Sequence, residues 1–169
     1  MVELEVIHDL LEKASTHAPV FQSASTPPTY LVQGSDLLAS LFALQTNPLT
    51  YFDMLSCITG IDNGPEVNTM EVIYHLYSIP FHQSLAVKVI LPRDRPEVPS
   101  VCELWKTAEW HEREAFDLLG IQFLNHPDLR RILLPADWVG HPLRKDYRHE
   151  EYYHGVRIAY EASQPPTDV

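Results

Sequence analysis

The sequence predicts an α+β domain, with helices packed on one face of a mostly antiparallel sheet, followed by an extended, irregular C-terminal arm. Three observations predict it. Apolar residues recur at helical spacing early in the chain. Runs rich in strand formers, alternating apolar and polar, fill the middle around a strong turn signal. Beyond residue 120 prolines recur and no long periodic run remains, so that segment cannot build a core of its own.

Each element follows from its residues. Leu4, Ile7, Leu10, Leu11 and Ala14 give a first amphipathic helix over 4–14. An extended piece over Ala18–Ser23 and a strand-like Tyr30–Gln33 flank Pro27 and Pro28. Ser35 reads as an N-cap, and Leu37, Leu38, Leu41, Phe42 and Leu44 as the apolar face of a second helix. Asn47-Pro48 ends that helix, because the residue before proline disfavours the helical region. Residues 51–61 read as a strand stopping at Asp62-Asn63-Gly64-Pro65. In 69–79, Met70, Val72, Tyr74 and Leu76 share one face; in 84–91, Leu85, Val87, Val89 and Leu91 do. A short loop near Pro80 makes these two runs an antiparallel hairpin. Ser100 with Glu103 forms a capping-box pattern that opens a third helix running through Trp105 to Leu119, with Gly120 as its stop.

The chain has 169 residues, enough for one domain plus an extension. No apolar run approaches the roughly 18 residues that a spanning helix needs. The N-terminus carries four acids, Glu3, Glu5, Asp9 and Glu12, and lacks the basic and apolar regions of a signal peptide, so it reads as cytosolic. Cys57 and Cys102 are far apart and form no C-x-x-C pair; two such thiols cannot hold an iron–sulfur cluster, which wants about four. A disulfide is not needed in a chain of this size. The net charge of −11 is uneven: residues 1–87 hold nine acids and one base, Lys13. An acidic body argues against nucleic acid as the main partner. Arg130, Arg131, Arg144, Lys145 and Arg148 form one basic stretch, suited to an acidic protein surface or simply solvated.

The chemistry concentrates in residues 109–147. On one helix Glu112, Arg113 and Glu114 project about 100° apart, and Trp110, Phe116, Leu118 and Leu119 require a covered stripe on the same helix. Glu109, Arg113 and Asp117 at i, i+4 and i+8 read as an ion ladder on the exposed side. Glu112 or Glu114 then falls on the buried side, with Arg130 and Arg131 as its cationic partners. The plain alternative is that all are ordinary surface acids. Enzymatic patterns fail in turn. His111-Glu112 opens like H-E-x-x-H, but Ala115 stands where the second histidine is required. His126 and His141, across irregular chain, give no ligand geometry. There is no G-x-S-x-G elbow and no glycine-rich nucleotide loop.

The run Glu112-Arg113-Glu114, Asp117, His126, Arg130 and Ile132-Leu133, at its particular spacing, closely resembles the signature of the thirty-kilodalton family (the C subunits) of proton-pumping NADH:quinone oxidoreductase, respiratory complex I. Pro135, Asp137-Trp138, Gly140 and Pro142-Leu143-Arg144-Lys145-Asp146-Tyr147 are similar to the block that ends that family's shared region, and the likeness extends over about residues 35–150. The resemblance implies a non-catalytic scaffold subunit in the peripheral arm of a translocase that couples electron transfer from NADH to quinone with proton transport. It implies no catalytic, cofactor-binding or metal residue in this chain, with FMN, iron–sulfur clusters and quinone held by partner subunits. It places the chain on the cytoplasmic face of a bacterial inner membrane, against the quinone-site and cluster-bearing subunits, with no membrane span of its own and no nucleic-acid partner. The interface candidates are then Glu112, Arg113, Glu114, Asp117, His126, Arg130, Arg131, Asp137, Trp138, His141, Arg144, Lys145, Asp146 and Tyr147. The expected organisation is a domain over 1–120, a partner-binding arm over 121–160 that a neighbour orders, and a disordered tail over 161–169. Relatives in ferredoxin-dependent quinone reductases or membrane-bound hydrogenases are the near alternative. A metal-dependent hydrolase using His111 and Glu112, or a small adaptor unrelated to respiration, are the distant ones.

Overall fold

The computed structural model describes residues 4–158. Helix α1 (Leu4–Ala14) leads into two short strands, β1 (Val20–Gln22) and β2 (Thr29–Leu31). A 3-10 turn at Gly34–Asp36 precedes α2 (Leu37–Thr46). Three long strands follow, β3 (Met54–Asp62), β4 (Thr69–Ser78) and β5 (Gln83–Pro92), then the short β6 (Glu97–Pro99). Helix α3 (Ala108–Leu119) and β7 (Gln122–Leu124) come next, with a small terminal hairpin, β8 (Tyr152–Tyr153) and β9 (Val156–Arg157).

The main sheet has the order β1-β2-β5-β4-β3 and is antiparallel except where β2 runs parallel to β5. Alternation sets its faces. Tyr74 pairs with Val87, Val72 with Val89 and Leu76 with Leu85, so the two predicted apolar rows meet on one buried surface. A register shift between Leu55 and Cys57 lets Leu55 and Ile58, three residues apart, both point inward. Ile7 and Leu11 of α1 and Leu37, Leu41 and Leu44 of α2 complete this core.

Three local expectations are corrected. Ser35 does not cap α2: it lies inside the 3-10 turn, and the buried Asp36 carboxylate instead accepts hydrogen bonds from Thr16 and His17, tying the end of α1 to the start of α2. Leu38 and Phe42 of α2 are exposed, because the stripe that the sheet covers is narrower than the apolar run. The capping box at Ser100 and Glu103 does not open α3. The Ser100 hydroxyl takes the Cys102 N–H in a local turn, and the helix begins only at Ala108.

Helix α3 lies against β3 and buries Ala108, Glu112, Ala115 and Leu119, at i, i+4, i+7 and i+11. Gly60 of β3 faces this helix, and a Cβ there would collide with Leu119 and crowd Ile121. Gly60→Val is expected to destabilise the fold by about 1–3 kcal/mol through overpacking, read as a lowered urea midpoint at unchanged slope. Ile121 and Phe123, just beyond Gly120, are buried in the core, and β7 pairs in parallel with β6. The packed domain therefore runs past the predicted boundary at 120. The predicted tail, 161–169, lies outside the described residues.

Candidate functional site

Helix α3 and the segment after it form one hydrogen-bonded unit. Gly120 ends the helix at φ +76°, its N–H bonded to the Phe116 carbonyl. The chain then returns across the helix's C-terminal end, where unpaired carbonyls and the helix dipole favour cations and donors. Arg144 Nε donates to the Leu119 carbonyl at 2.7 Å and His141 Nδ1 to the Asp117 carbonyl at 2.9 Å. Burial pushes the His141 imidazolium down, so the ring serves here as a neutral donor.

Asp117 is the centre of this clasp. Its buried Oδ2 accepts the consecutive N–H groups of Ile132, Leu133 and Leu134 at 3.0, 2.8 and 3.0 Å, and Oδ1 receives Arg131 at 2.9 Å. Burial alone would raise this carboxyl; the three N–H groups and Arg131 outweigh it and hold it below its ordinary value. A second clasp joins the arm to the sheet. Asp62 at the end of β3 accepts Arg93 Nε at 2.7 Å and Nη2 at 3.0 Å, the Gly64 N–H, and the Lys145 N–H at 2.8 Å. Arg93 also meets Asp146. Hydrogen bonding from Arg93 overcomes burial and keeps the Asp62 carboxyl well below the usual range.

These contacts correct the predicted ion ladder. Arg113 and Asp117 are buried, not solvated. Arg113 Nε donates to the Arg130 carbonyl, and its guanidinium lies over the ring of Trp110, which is 60% exposed and outside the apolar stripe. Of the two acids in question Glu112 is the buried one and Glu114 is exposed. No arginine meets Glu112 among the described residues. Arg130 pairs with Asp128 on the surface, and Arg131 serves Asp117.

Glu112 instead sits in a pocket of neutral donors. Oε1 accepts the Val101 N–H at 2.7 Å, Oε2 the Cys102 thiol at 3.5 Å, and His126 Nε2 lies 4.0 Å away. The buried hydroxyl of Tyr74, which has no hydrogen-bond partner among the described residues, adds to this environment. Burial pushes the Glu112 carboxyl up, against the Ser100 hydroxyl, the Val101 N–H and the Cys102 thiol that favour the anion. Burial likewise pushes the Cys102 thiol up to about 11.

Cys102, Glu112 and His126 are close enough together to invite a metal. The histidine's own bonds argue against it. Its Nδ1 accepts the Asp128 N–H at 2.9 Å, so the ring proton sits on Nε2 and is donated to the Glu109 carbonyl at 3.1 Å. A metal on Nε2 would move that proton to Nδ1, against the Asp128 N–H. The Cys102 thiol donates to Glu112, while His126 bonds to the backbone of Glu109 and Asp128. His111 belongs to no cluster of ligand-type side chains among the described residues.

The raised Glu112 carboxyl has a definite sign in stability. Folding favours its protonated form, so its contribution becomes less favourable as pH rises from about 4, where the unfolded carboxyl ionises. Glu112→Gln is expected to flatten the pH dependence of stability above that point. Urea midpoints at a series of pH values check this, and an unchanged slope would sink it.

The remaining candidates lie along the arm. Trp138 Nε1 donates to Tyr147 Oη at 3.0 Å, while the exposed Asp137 accepts Tyr153 and His154. Asp62 and Arg93, which organise the second clasp, are not among the residues that sequence singles out. Nothing in the sequence links a turn aspartate to an arginine 31 residues later.

Residues 30–153 match the family model for the 30 kDa subunit of respiratory-chain NADH dehydrogenase. The chain belongs to that family. The C subunit of NADH-quinone oxidoreductase from Chlorobium phaeobacteroides is 40% identical over 151 residues, covering 88% of this chain and 90% of the relative. Its counterpart from Moorella thermoacetica is 48% identical over 121 residues, covering 72% and 80%. The Chloroherpeton thalassium protein is 42% identical over 135 residues, 79% of this chain, and here the chain spans about half the relative's length, 55%. Two solved structures share the fold. One is a trypsin-resistant fragment of Nqo5 (TM-score 0.59, 24% identity, 76% of this chain and all of that one). The other is a chain of a membrane-bound sulfane sulfur reductase, an archaeal respiratory membrane complex (TM-score 0.70, 22% identity, 86% and 85%). In this chain the signature from Glu112 to Leu133 divides in two. Glu112, Arg113, Asp117 and the side chain of His126 are buried within this chain, whereas Glu114 and Arg130 face outward.

Proposed function

We propose that this chain is a non-catalytic scaffold subunit in the peripheral arm of an NADH:quinone oxidoreductase that couples electron transfer to proton translocation. FMN, the iron–sulfur clusters and quinone belong to its partner subunits, and the chain sits on the cytoplasmic face of the bacterial inner membrane. No helix among the described residues is long and apolar enough to cross a membrane. The observation that carries the reading is how four of the interface candidates are used. Asp117, Arg113, Arg131 and His141 bond to the chain's own backbone and hold the arm in shape, instead of converging on an open acid–base or nucleotide site. Such a clasp presents a shaped surface on which Asp137, Lys145 and the apolar Leu133, Val139 and Leu143 are exposed. The arm, expected from sequence to be ordered by a neighbour, is bonded to its own domain as far as Asp146, so a partner would meet a preformed surface.

The relatives at 40–48% identity favour the NADH-linked complex over the sulfur-reducing one, whose likeness is of fold alone. The test is Lys145→Ala and Arg130→Ala in the native organism, two exposed side chains with no predicted role in chemistry. Assembled complex on native gels is expected to fall, because loss of a docking charge weakens association. Quinone reductase turnover per assembled complex is expected to stay normal. A drop of about tenfold at full assembly would mean that this subunit shapes the quinone chemistry directly.

A further inference from the structure

We infer that the open edge of β3 accepts an extended, basic segment of a neighbouring subunit as an added strand; the inference rests on the scaffold reading above and names where one partner binds. β3 is the last strand of the main sheet. After its irregularity at Leu55 and Cys57 it pairs with β4 in unbroken register from Cys57 to Asp62. Among the described residues the backbone of 56–61 bonds to β4 and to nothing on the other side; the nearest exception is Leu55, whose carbonyl takes the Thr107 hydroxyl at 3.3 Å. Proteins blunt exposed edges with proline, lysine or an inward charge. None stands between Cys57 and Ile61, and the Asp62 carboxylate is already engaged by Arg93.

A groove of about 240 Å³ runs beside this edge, with Ile58, Thr59 and Gly60 on one wall and Glu114 and Leu118 of α3 on the other, closed by Leu143 of the arm. A row of unpaired amides and carbonyls recognises extended backbone, and the apolar walls suit alternate side chains of such a strand. Charge selects the occupant. Glu114 is exposed with no ion pair among the described residues, and the first 87 residues hold nine acids against one base. A second copy of this chain would bring a second unpaired Glu114 to the same groove, like charge against like. A basic strand from a neighbour has no such conflict.

The experiment is amide hydrogen exchange on the full chain, alone and within the complex purified from native membranes. Alternate amides between Cys57 and Asp62 are expected to exchange about a hundredfold more slowly in the complex. Glu114→Lys is expected to lower recovery of the chain in the complex while leaving its own urea midpoint unchanged. Equal exchange in both states, with the chain present in the complex, overturns the added strand and leaves the scaffold reading standing. Protection in the isolated chain also overturns it: at every concentration, the chain's own terminal residues cover the edge; only at high concentration, a second copy does. Recovery of the chain without oxidoreductase subunits overturns the scaffold reading and this inference with it.

Discussion

Asp117→Ala is expected to cost about 3–5 kcal/mol and to free the arm from α3. The carboxylate is fully buried and is the common acceptor of three backbone N–H groups and Arg131. Removing it leaves a half-buried guanidinium without its anion and three donors without an acceptor. Asp117→Asn keeps the shape and one oxygen but loses the charge, so a smaller loss of about 1–3 kcal/mol follows. Urea denaturation gives the stability, and limited trypsin digestion at Arg130 and Arg131 reports release of the arm. A loss below about 1 kcal/mol, the value for an exposed pair, would mean the clasp contributes little to folding. Glu114→Ala supplies that exposed control, since its side chain faces solvent.

Arg93→Met has the next largest expected effect. Arg93 bridges Asp62, whose side chain is 1% exposed, and Asp146 of the arm. Methionine fills the space of the stem but leaves the buried Asp62 carboxylate with backbone donors only. A loss of about 3 kcal/mol is expected near neutral pH, because the unpaired charge stays buried. Its pH dependence identifies the cause. The Asp62 carboxyl is depressed in the folded protein, so its stabilising contribution is complete above the unfolded value of about 4 and is lost as pH falls through the folded value. The gap between wild type and Arg93→Met should therefore narrow below about pH 4. A gap constant from neutral pH down into acid would assign the loss to packing instead.

Together these substitutions locate the part of the site that sequence could not reach. That an acid of the Glu112–Glu114 pair must be buried follows from geometry: three charges swept around a helix whose apolar residues also need cover cannot all be solvated. Which acid, and what receives it, does not follow. The i, i+4 spacing of Arg113 and Asp117 suggests a solvated face, but spacing identifies neighbours on a helix and not the element lying over them. The returning arm lies over them. A helix start at Ser100 is equally reasonable locally. It fails because Ser100 and the Val101 N–H are drawn into the Glu112 network from a different part of the chain.

The sequence by itself determined the elements whose causes are local. The alternation in β4 and β5, the turn at Asp62–Gly64, the stop at Asn47-Pro48 and the left-handed Gly120 appear as read, because period, turn chemistry and backbone sterics act within a few residues. It also determined the family, since a long run of spaced residues is specific even when their roles are unknown. Only the tertiary structure decided which charges are buried and with what partners. Asp117 meets residues 131–134 and Asp62 meets Arg93 and residue 145 because β3, α3 and the arm converge in space. The free energy of a buried carboxylate depends on donors within about 3 Å, and those donors come from wherever the chain returns.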